Sequence, residues 1–311
     1  MRAAVFAYSE LGCICLEELL KRGVEVVCVI THPDSAHENI WFRSVGDIAR
    51  ARNIKVYELD SVPGPEWKEI LASHKPDVVF SFMFRVLISE DILSAAKGGA
   101  FNLHPSLLPK YRGRAPANWV LVNGEKETGL TLHTMVSRAD AGAIVAQCAV
   151  PIGPDDDIND LNAKFAAAAP SLLAGALPGI EKGDYPRIPQ DEAAATKFGR
   201  RTPADGVFWW SWQAGRIHNL VRAVTSPLPG AFCVCEGRKL FVWKTASPKG
   251  GGAPAGHGNI ISESPLSVAT GGGSLELLSL QWEGEPRMDA ADFLRIYGLK
   301  KGDSIWERRI K

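Results

Sequence analysis

Between Arg2 and His104 short apolar runs alternate with segments of helical periodicity, and this alternation limits the fold more than any other feature of the chain. Arg2–Tyr8 reads as a strand. Leu11–Arg22 repeats its apolar residues at helical spacing and stops at Gly23, which suits a helix C-terminus. Val24–Thr31 is continuously apolar, as expected of a strand covered on both faces. Ser44–Arg52 reads as a helix capped by Ser44, with Asp47 three residues on. Strand character returns at Lys55–Tyr57, Asp77–Phe82 and Gly99–His104, with helices expected at Pro65–Ser73 and Glu90–Ala96. This β-α-β succession predicts an α/β fold: a Rossmann-like, mainly parallel sheet with helices on both faces. Sheets of this type take their ligands beyond the C-terminal ends of the strands. No G-x-G-x-x-G follows the first strand, so no NAD site is expected.

Further strands are expected at Thr128–Met135 and Ala143–Val150. Asp155–Lys182 is Ala-rich and helical, with breaks expected near Pro170 and Pro178. Gly183–Asp205 is polar and proline-bearing, as in a linker. Beyond it Ser211–Val224 reads as a helix, and Ala231–Lys244 and Ile260–Leu280 read as short strands. Ser247–Gly258, rich in glycine and without large apolar residues, reads as a flexible surface loop. The expected organisation is a catalytic domain over 1–183, a linker over 184–205 and a smaller β-rich, OB-like domain over 206–311, and 311 residues suffice for two domains.

Lys plus Arg and Asp plus Glu number 35 each, and this balance argues against a chain built around nucleic acid. No apolar run reaches the length of a membrane span, so none is expected. Glu10, Glu17 and Glu18 interrupt what could pass for a signal peptide, so a cytoplasmic location is expected. The six cysteines include two C-x-C pairs, a spacing that does not suit zinc, and they read as buried thiols; no metal is expected.

Side chains alternate along Gly99–His104, so Asn102 and His104 share one face at the ligand-binding edge, and Pro105 ends the strand. An amide donor beside an imidazole suits acyl transfer, in which an oxyanion needs a donor and an attacking amine must lose a proton. Taken alone, an Asn-x-His pair is more often structural.

The run that follows is far more specific. His104-Pro105-Ser106-Leu107-Leu108-Pro109-Lys110-Tyr111-Arg112-Gly113 resembles the signature of the 10-formyltetrahydrofolate-dependent formyltransferases, which include enzymes acting on methionyl-tRNA, on glycinamide ribonucleotide and on amino sugars. Asp140, within Ser137–Gly142, matches a further element of that family. The resemblance implies a catalytic trio of Asn102, His104 and Asp140, in which the Asp raises the pKa of the His, the His handles the proton and the Asn stabilises the oxyanion. It implies 10-formyltetrahydrofolate as formyl donor, lying against the backbone of Val86, Leu87 and Ile88, with Arg114, Val136, Ser137, Arg138, Ala139 and Asp140 completing that site.

Within the family, segments including Asn118–Glu125, Arg138–Gln147, Phe198–Pro203 and His218–Val224 are similar to the formyltransferase domains of bifunctional polymyxin-resistance proteins. Those domains formylate the 4-amine of UDP-4-amino-4-deoxy-L-arabinose during lipid A modification. This chain departs from their pattern at Met83-Phe84 and Pro105. The likeness implies a nucleotide sugar and a folate as small-molecule partners, and it leaves open a homo-oligomer or association with a separate decarboxylase. Another nucleotide-linked amino sugar, methionyl-tRNA, or a non-catalytic folate-binding scaffold are the rival readings. The loop Pro33–Ile40 contains no Lys or Arg, which disfavours tRNA. His133 and His218 read as structural. Arg200 and Arg201 suit either a diphosphate or an anchor for the linker, and the tryptophans, including Trp209, Trp210 and Trp212, read as packing between domains.

Overall fold

The computed structural model describes residues 1–34, 39–59, 64, 66–248 and 256–306. Strands β1 (Arg2–Ala7), β2 (Glu25–Thr31), β3 (Lys55–Glu58), β4 (Val78–Phe82) and β5 (Ala100–His104) alternate with helices α1 (Ser9–Lys21), α2 (Val45–Arg50), α3 (Glu66–His74) and α4 (Glu90–Leu93). After them come β6 (Arg112–Gly113), α5 (Pro116–Val122), β7 (Glu127–Thr134), β8 (Ile144–Pro151), α6 (Ile158–Lys182) and β9 (Lys197–Phe198).

The main sheet runs in the order β3-β2-β1-β4-β5-β7-β8. Its first five strands are parallel, and β7 and β8 are added antiparallel. The chain winds from β1 to one side through β2 and β3, then to the other through β4 and β5. This puts the reversal of strand order between β1 and β4, the position where such sheets bind ligands. All five residues of β4 are buried, as its unbroken apolar character requires. Phe6, Ile30, Leu71, Val79 and Ile92 form the core between one sheet face and the helices.

Helix α6 differs from expectation in two ways. It passes through Pro170 and Pro178 without a break. Leu161, Phe165, Ala169, Leu173, Leu177 and Ile180 recur at helical spacing and are all buried, and this stripe offsets the backbone bonds that the prolines remove. The helix is also long and apolar enough, by length and composition, to cross a membrane, whereas no such segment was expected. Helix α4 ends at Leu93, short of the expected Ala96.

The chain divides into two compact units: 1–116, 127–151 and 162–199 form one, and 117–126, 152–161 and 200–311 form the other. This differs from the expected division into 1–183, a linker over 184–205 and 206–311. The expected linker segment 184–199 belongs with the first unit, because Thr196, Lys197 and Phe198 bond to the 109–114 segment and β9 pairs with β6. The second unit carries α7 (Ala214–Val224), β10 (Ala231–Cys235), β11 (Arg238–Thr245), β12 (Ile260–Glu263), β13 (Leu266–Ala269), β14 (Ser274–Trp282), β15 (Met288–Asp289) and α8 (Ala290–Tyr297). Its strands form an antiparallel sheet in the order β10-β11-β14-β13-β12, with β15 on β14. His218 on α7 is buried there between the Thr245 hydroxyl at 2.8 Å and the Pro154 carbonyl at 2.9 Å, a structural place. The expected flexible loop falls largely on 249–255, and part of the Pro33–Ile40 loop on 35–38; both stretches, and Pro65, lie outside the described residues.

Candidate active site

Strand β5 carries Asn102, half-buried, and His104, buried, on the same face of the sheet. On the neighbouring antiparallel strand β7, His133 stands opposite Asn102 and Thr131 opposite His104. The Asn102 amide nitrogen donates to His133 Nε2 at 3.1 Å. His133 Nδ1 lies 2.8 Å from the Thr134 carbonyl, which can only accept. His133 therefore keeps its proton on Nδ1 and offers a lone pair at Nε2. One N–H of the Asn102 amide is committed to that lone pair, and the amide's orientation is fixed.

The Pro105–Arg114 segment arches over His104. Thr131 fastens its start, donating to the Ser106 carbonyl at 2.6 Å and accepting from the Leu108 amide at 3.2 Å, and Gln147 reaches the Leu108 carbonyl at 3.0 Å. Tyr111 (φ 62°) lies in the left-handed region, stacked on Phe198 at 5.0 Å, and its amide donates to Thr196 Oγ1 at 2.8 Å. The arch thereby brings the Tyr111 carbonyl to 2.8 Å from His104 Nε2. A carbonyl accepts only, so Nε2 bears a proton in both charge states of the ring. The proton that His104 gains or loses sits on Nδ1.

Nδ1 points toward Asp140, 3.5 Å from Oδ1, and the same oxygen lies 3.6 Å from His133 Nε2. The other carboxylate oxygen accepts from the Gly113 amide at 2.8 Å. Gly113 (φ 101°) has no room for a side chain, since a Cβ there would stand 2.2 Å from the Phe198 carbonyl. Asp140 itself is left-handed (φ 54°), a conformation Asp tolerates better than most residues. The 140–142 turn is held from the 184–199 segment. Gln190 donates to the carbonyls of Asp140 at 2.8 Å and Gly142 at 2.7 Å, and buried Arg112 grips Gln190 and Glu192.

Burial pushes the His104 imidazole below its ordinary pKa, with Asp140 and the Tyr111 carbonyl opposing and His133 adding to the fall. The family resemblance led to the expectation that Asp140 raises this pKa. It acts in that direction, but desolvation outweighs it. Burial works to raise the Asp140 pKa, yet the charged form of His104 and the Gly113 amide hold its carboxyl well below the usual carboxylate range. A neutral imidazole with a free Nδ1, a fixed carboxylate beside it and an amide donor two residues away can accept a proton and bind a developing oxyanion.

The residues predicted for the folate site lie after β4, after β6 and between β7 and β8. Met83 (φ 57°) turns the chain out of β4. Val86, Leu87 and Ile88 make no backbone hydrogen bond among the described residues; Leu87 is exposed and Ile88 is buried. Arg114 reaches this segment, its Nη2 donating to the Arg85 carbonyl at 2.7 Å. Val136, Ser137 and Arg138 are exposed, Ala139 is half-buried, and Arg138 pairs with Glu192 at 2.5 Å. In the second unit, Arg201 lies over the Trp119 ring, 4.7 Å from its centroid, and donates to the Asp205 carbonyl at 2.8 Å; Arg200 is exposed. His133, expected to be structural, bonds Asn102 and lies beside Asp140, and Gln190 and Glu192, which no sequence signal marks, hold the turn and its Arg112. His133 sits at odd spacing in an apolar strand, and only the antiparallel register puts it opposite Asn102. Among the described residues, no group of three His, Cys, Asp or Glu side chains is placed to hold a metal ion.

The family model "Formyl transferase" matches residues 1–177, more than half of the chain, and "Formyl transferase, C-terminal domain" matches 200–298. The chain belongs to the formyl transferase family. Solved structures similar to this formyl transferase include WlaRD, a sugar 3N-formyl transferase solved in the presence of dTDP and 5-N-formyl-THF. It is 21% identical, with 92% of this chain and 99% of that one covered, at a TM-score of 0.68. An N-formyltransferase from Helicobacter canadensis, solved with folinic acid and dTDP-3-aminofucose, is 21% identical over 88% of this chain and 97% of that one, at a TM-score of 0.69. HypX from Aquifex aeolicus in complex with tetrahydrofolic acid is 16% identical at a TM-score of 0.62. It covers 98% of this formyl transferase, which spans 50% of the HypX chain. At these identities the likeness is one of fold.

Proposed function

We propose that this formyl transferase moves a formyl group from 10-formyltetrahydrofolate to the amine of a nucleotide-linked amino sugar, with UDP-4-amino-4-deoxy-L-arabinose as the acceptor. The observation that carries the chemistry is His104 Nδ1, facing Asp140 Oδ1 at 3.5 Å while Nε2 is committed to the Tyr111 carbonyl, two residues along β5 from Asn102. In the proposed step the acceptor nitrogen attacks the formyl carbon. The carbonyl oxygen becomes an oxyanion that takes the second N–H of Asn102. The amine proton passes to His104 Nδ1, where the Asp140 carboxylate stabilises the imidazolium. Breaking the bond between the formyl carbon and N10 then releases tetrahydrofolate, with the proton returned to N10. The backbone of Val86–Ile88, which makes no hydrogen bond among the described residues, offers donors and acceptors to a flat, hydrogen-bonding pterin.

Sequence similarity supports the UDP-linked arabinose as acceptor. The dTDP named for one structural relative and the dTDP-3-aminofucose named for another favour a dTDP-linked amino sugar as the second reading. Zero net charge disfavours a tRNA, whose many phosphates need clustered cations. The test is a transfer assay against UDP- and dTDP-linked amino sugars and charged initiator tRNA. Turnover of the UDP-linked arabinose well above the others supports the proposal, preference for a dTDP sugar supports the second reading, and formylation of methionyl-tRNA alone overturns both.

A further inference from the structure

The segment leaving β4 is tied down by a histidine that the proposed chemistry does not use. His32 follows β2. Its Nδ1 lies 2.8 Å from the Leu59 carbonyl, so Nδ1 carries a proton and donates it. Its Nε2 is then an acceptor, and the Arg85 backbone N–H donates to it at 3.0 Å. The His32 ring stacks on Phe84, with centroids 4.2 Å apart and planes 16° from parallel, and meets the edge of Tyr8. The opposite side of the same residue is pinned by Arg114, whose guanidinium donates to the Arg85 carbonyl at 2.7 Å.

Arg85 is therefore held at both its amide and its carbonyl. Three residues on, Ile88 is buried in the core, and the Ser89 carbonyl begins α4 by accepting from the Ile92 and Leu93 amides. Between these two fixed points the peptides of Val86–Ile88 form no hydrogen bonds among the described residues. A strap with fixed ends and a free middle is ordered before any ligand arrives. Ordering it on binding would otherwise cost free energy.

We propose that His32 is a positioning residue for the formyl donor: by fixing the Arg85 peptide it presents the free backbone edge of Val86–Ile88 in one conformation. This rests on the reading of Val86–Ile88 as the donor's contact segment. The role demands a donor at one end of the side chain, an acceptor at the other and a flat face for Phe84. A phenylalanine at position 32 keeps the face and loses both hydrogen bonds; a glutamine keeps a donor and an acceptor.

The test measures binding of 5-formyltetrahydrofolate, a stable analogue of the donor, to wild-type, H32F and H32Q protein, with steady-state kinetics and amide hydrogen exchange alongside. The expected result is a Kd raised about 5- to 100-fold in H32F, the range of an orphaned amide–imidazole bond. H32Q recovers most of that loss. The H32F defect falls in the KM for the donor, with kcat at saturating donor changed less than about threefold. Exchange of the Arg85 amide accelerates in H32F and not in H32Q. Should H32F not fold, H32N, too short to bridge both partners, is expected to show the same donor defect. Wild-type affinity and wild-type Arg85 protection in the folded variant, or a loss confined to kcat, overturn the proposal. Wild-type protein that does not bind the folate at all overturns the donor-segment reading and this proposal with it, an outcome separate from a variant that binds normally.

Discussion

Nδ1 of His104 lies 3.5 Å from Oδ1 of Asp140, while the Nε2 of the same ring is committed to the Tyr111 carbonyl. Proton exchange is thereby confined to the nitrogen that faces the carboxylate. Burial lowers the imidazole pKa in the folded protein, so the unfolded chain takes up this proton first as pH falls. Stability linked to His104 is complete above the ordinary histidine value of about 6.5 and declines below it. Activity follows the folded pKa. The acid limb of kcat/KM is expected below about pH 6.5, with Asp140 ionised throughout. A limb centred above that value contradicts the assignment of His104 as proton acceptor.

Removing the proton acceptor, His104→Ala, is expected to lower turnover by about 100- to 10,000-fold. Asn102→Ala removes the oxyanion donor and is expected to cost roughly 100- to 1,000-fold. Single-turnover kinetics on variants shown to be folded by circular dichroism check both. Near-normal turnover in folded His104→Ala rules the mechanism out.

Gln190 holds the turn that carries Asp140 through two carbonyls. Gln190→Ala leaves those carbonyls without their donor and is expected to destabilise the protein by about 1–3 kcal/mol, seen as a lower urea midpoint at unchanged slope. Activity should fall as well, because a turn no longer held lets Asp140 leave its left-handed conformation. Full activity with full stability would show that the 184–199 segment has no part in shaping the site.

At Gly142 a Cβ would stand 1.6 Å from the Thr134 carbonyl, far inside contact distance and against backbone rather than a movable side chain. Gly142→Ala must therefore push the turn off β7. A loss of about 3 kcal/mol is expected, together with loss of turnover. Thermal denaturation reads the first and the transfer assay the second.

Much of this site was legible in the chain because its parts are local. Asn102 and His104 sit two apart on one strand, and the alternation of strand and helix from Arg2 to His104 fixed which edge they reach. The run His104–Gly113 carries its own geometry, since Tyr111 and Gly113 both adopt left-handed conformations that bring the Tyr111 carbonyl and the Gly113 amide to His104 and Asp140. Long-range pairings were hidden. His133 meets Asn102 only through the antiparallel register of β7 on β5, which no periodicity reveals. Gln190 and Glu192 lie in a polar, proline-bearing stretch with no repeat to mark it, and their place depends on β9 pairing with β6 across 85 residues of chain, as between Tyr111 and Thr196. The unbroken run of α6 through two prolines reflects a buried stripe whose tertiary partners override local propensity.

The central claim is transfer of one carbon from a folate to a sugar amine, and following that carbon tests it most directly. The protein is incubated with 10-formyltetrahydrofolate labelled with carbon-13 in the formyl group and with UDP-4-amino-4-deoxy-L-arabinose, and the products are followed by NMR. The predicted result is a labelled formamide carbon on the 4-amino nitrogen, appearing in step with tetrahydrofolate and abolished in His104→Ala. Unlabelled amino sugar after complete incubation, with the folate either intact or merely hydrolysed to formate, would contradict it.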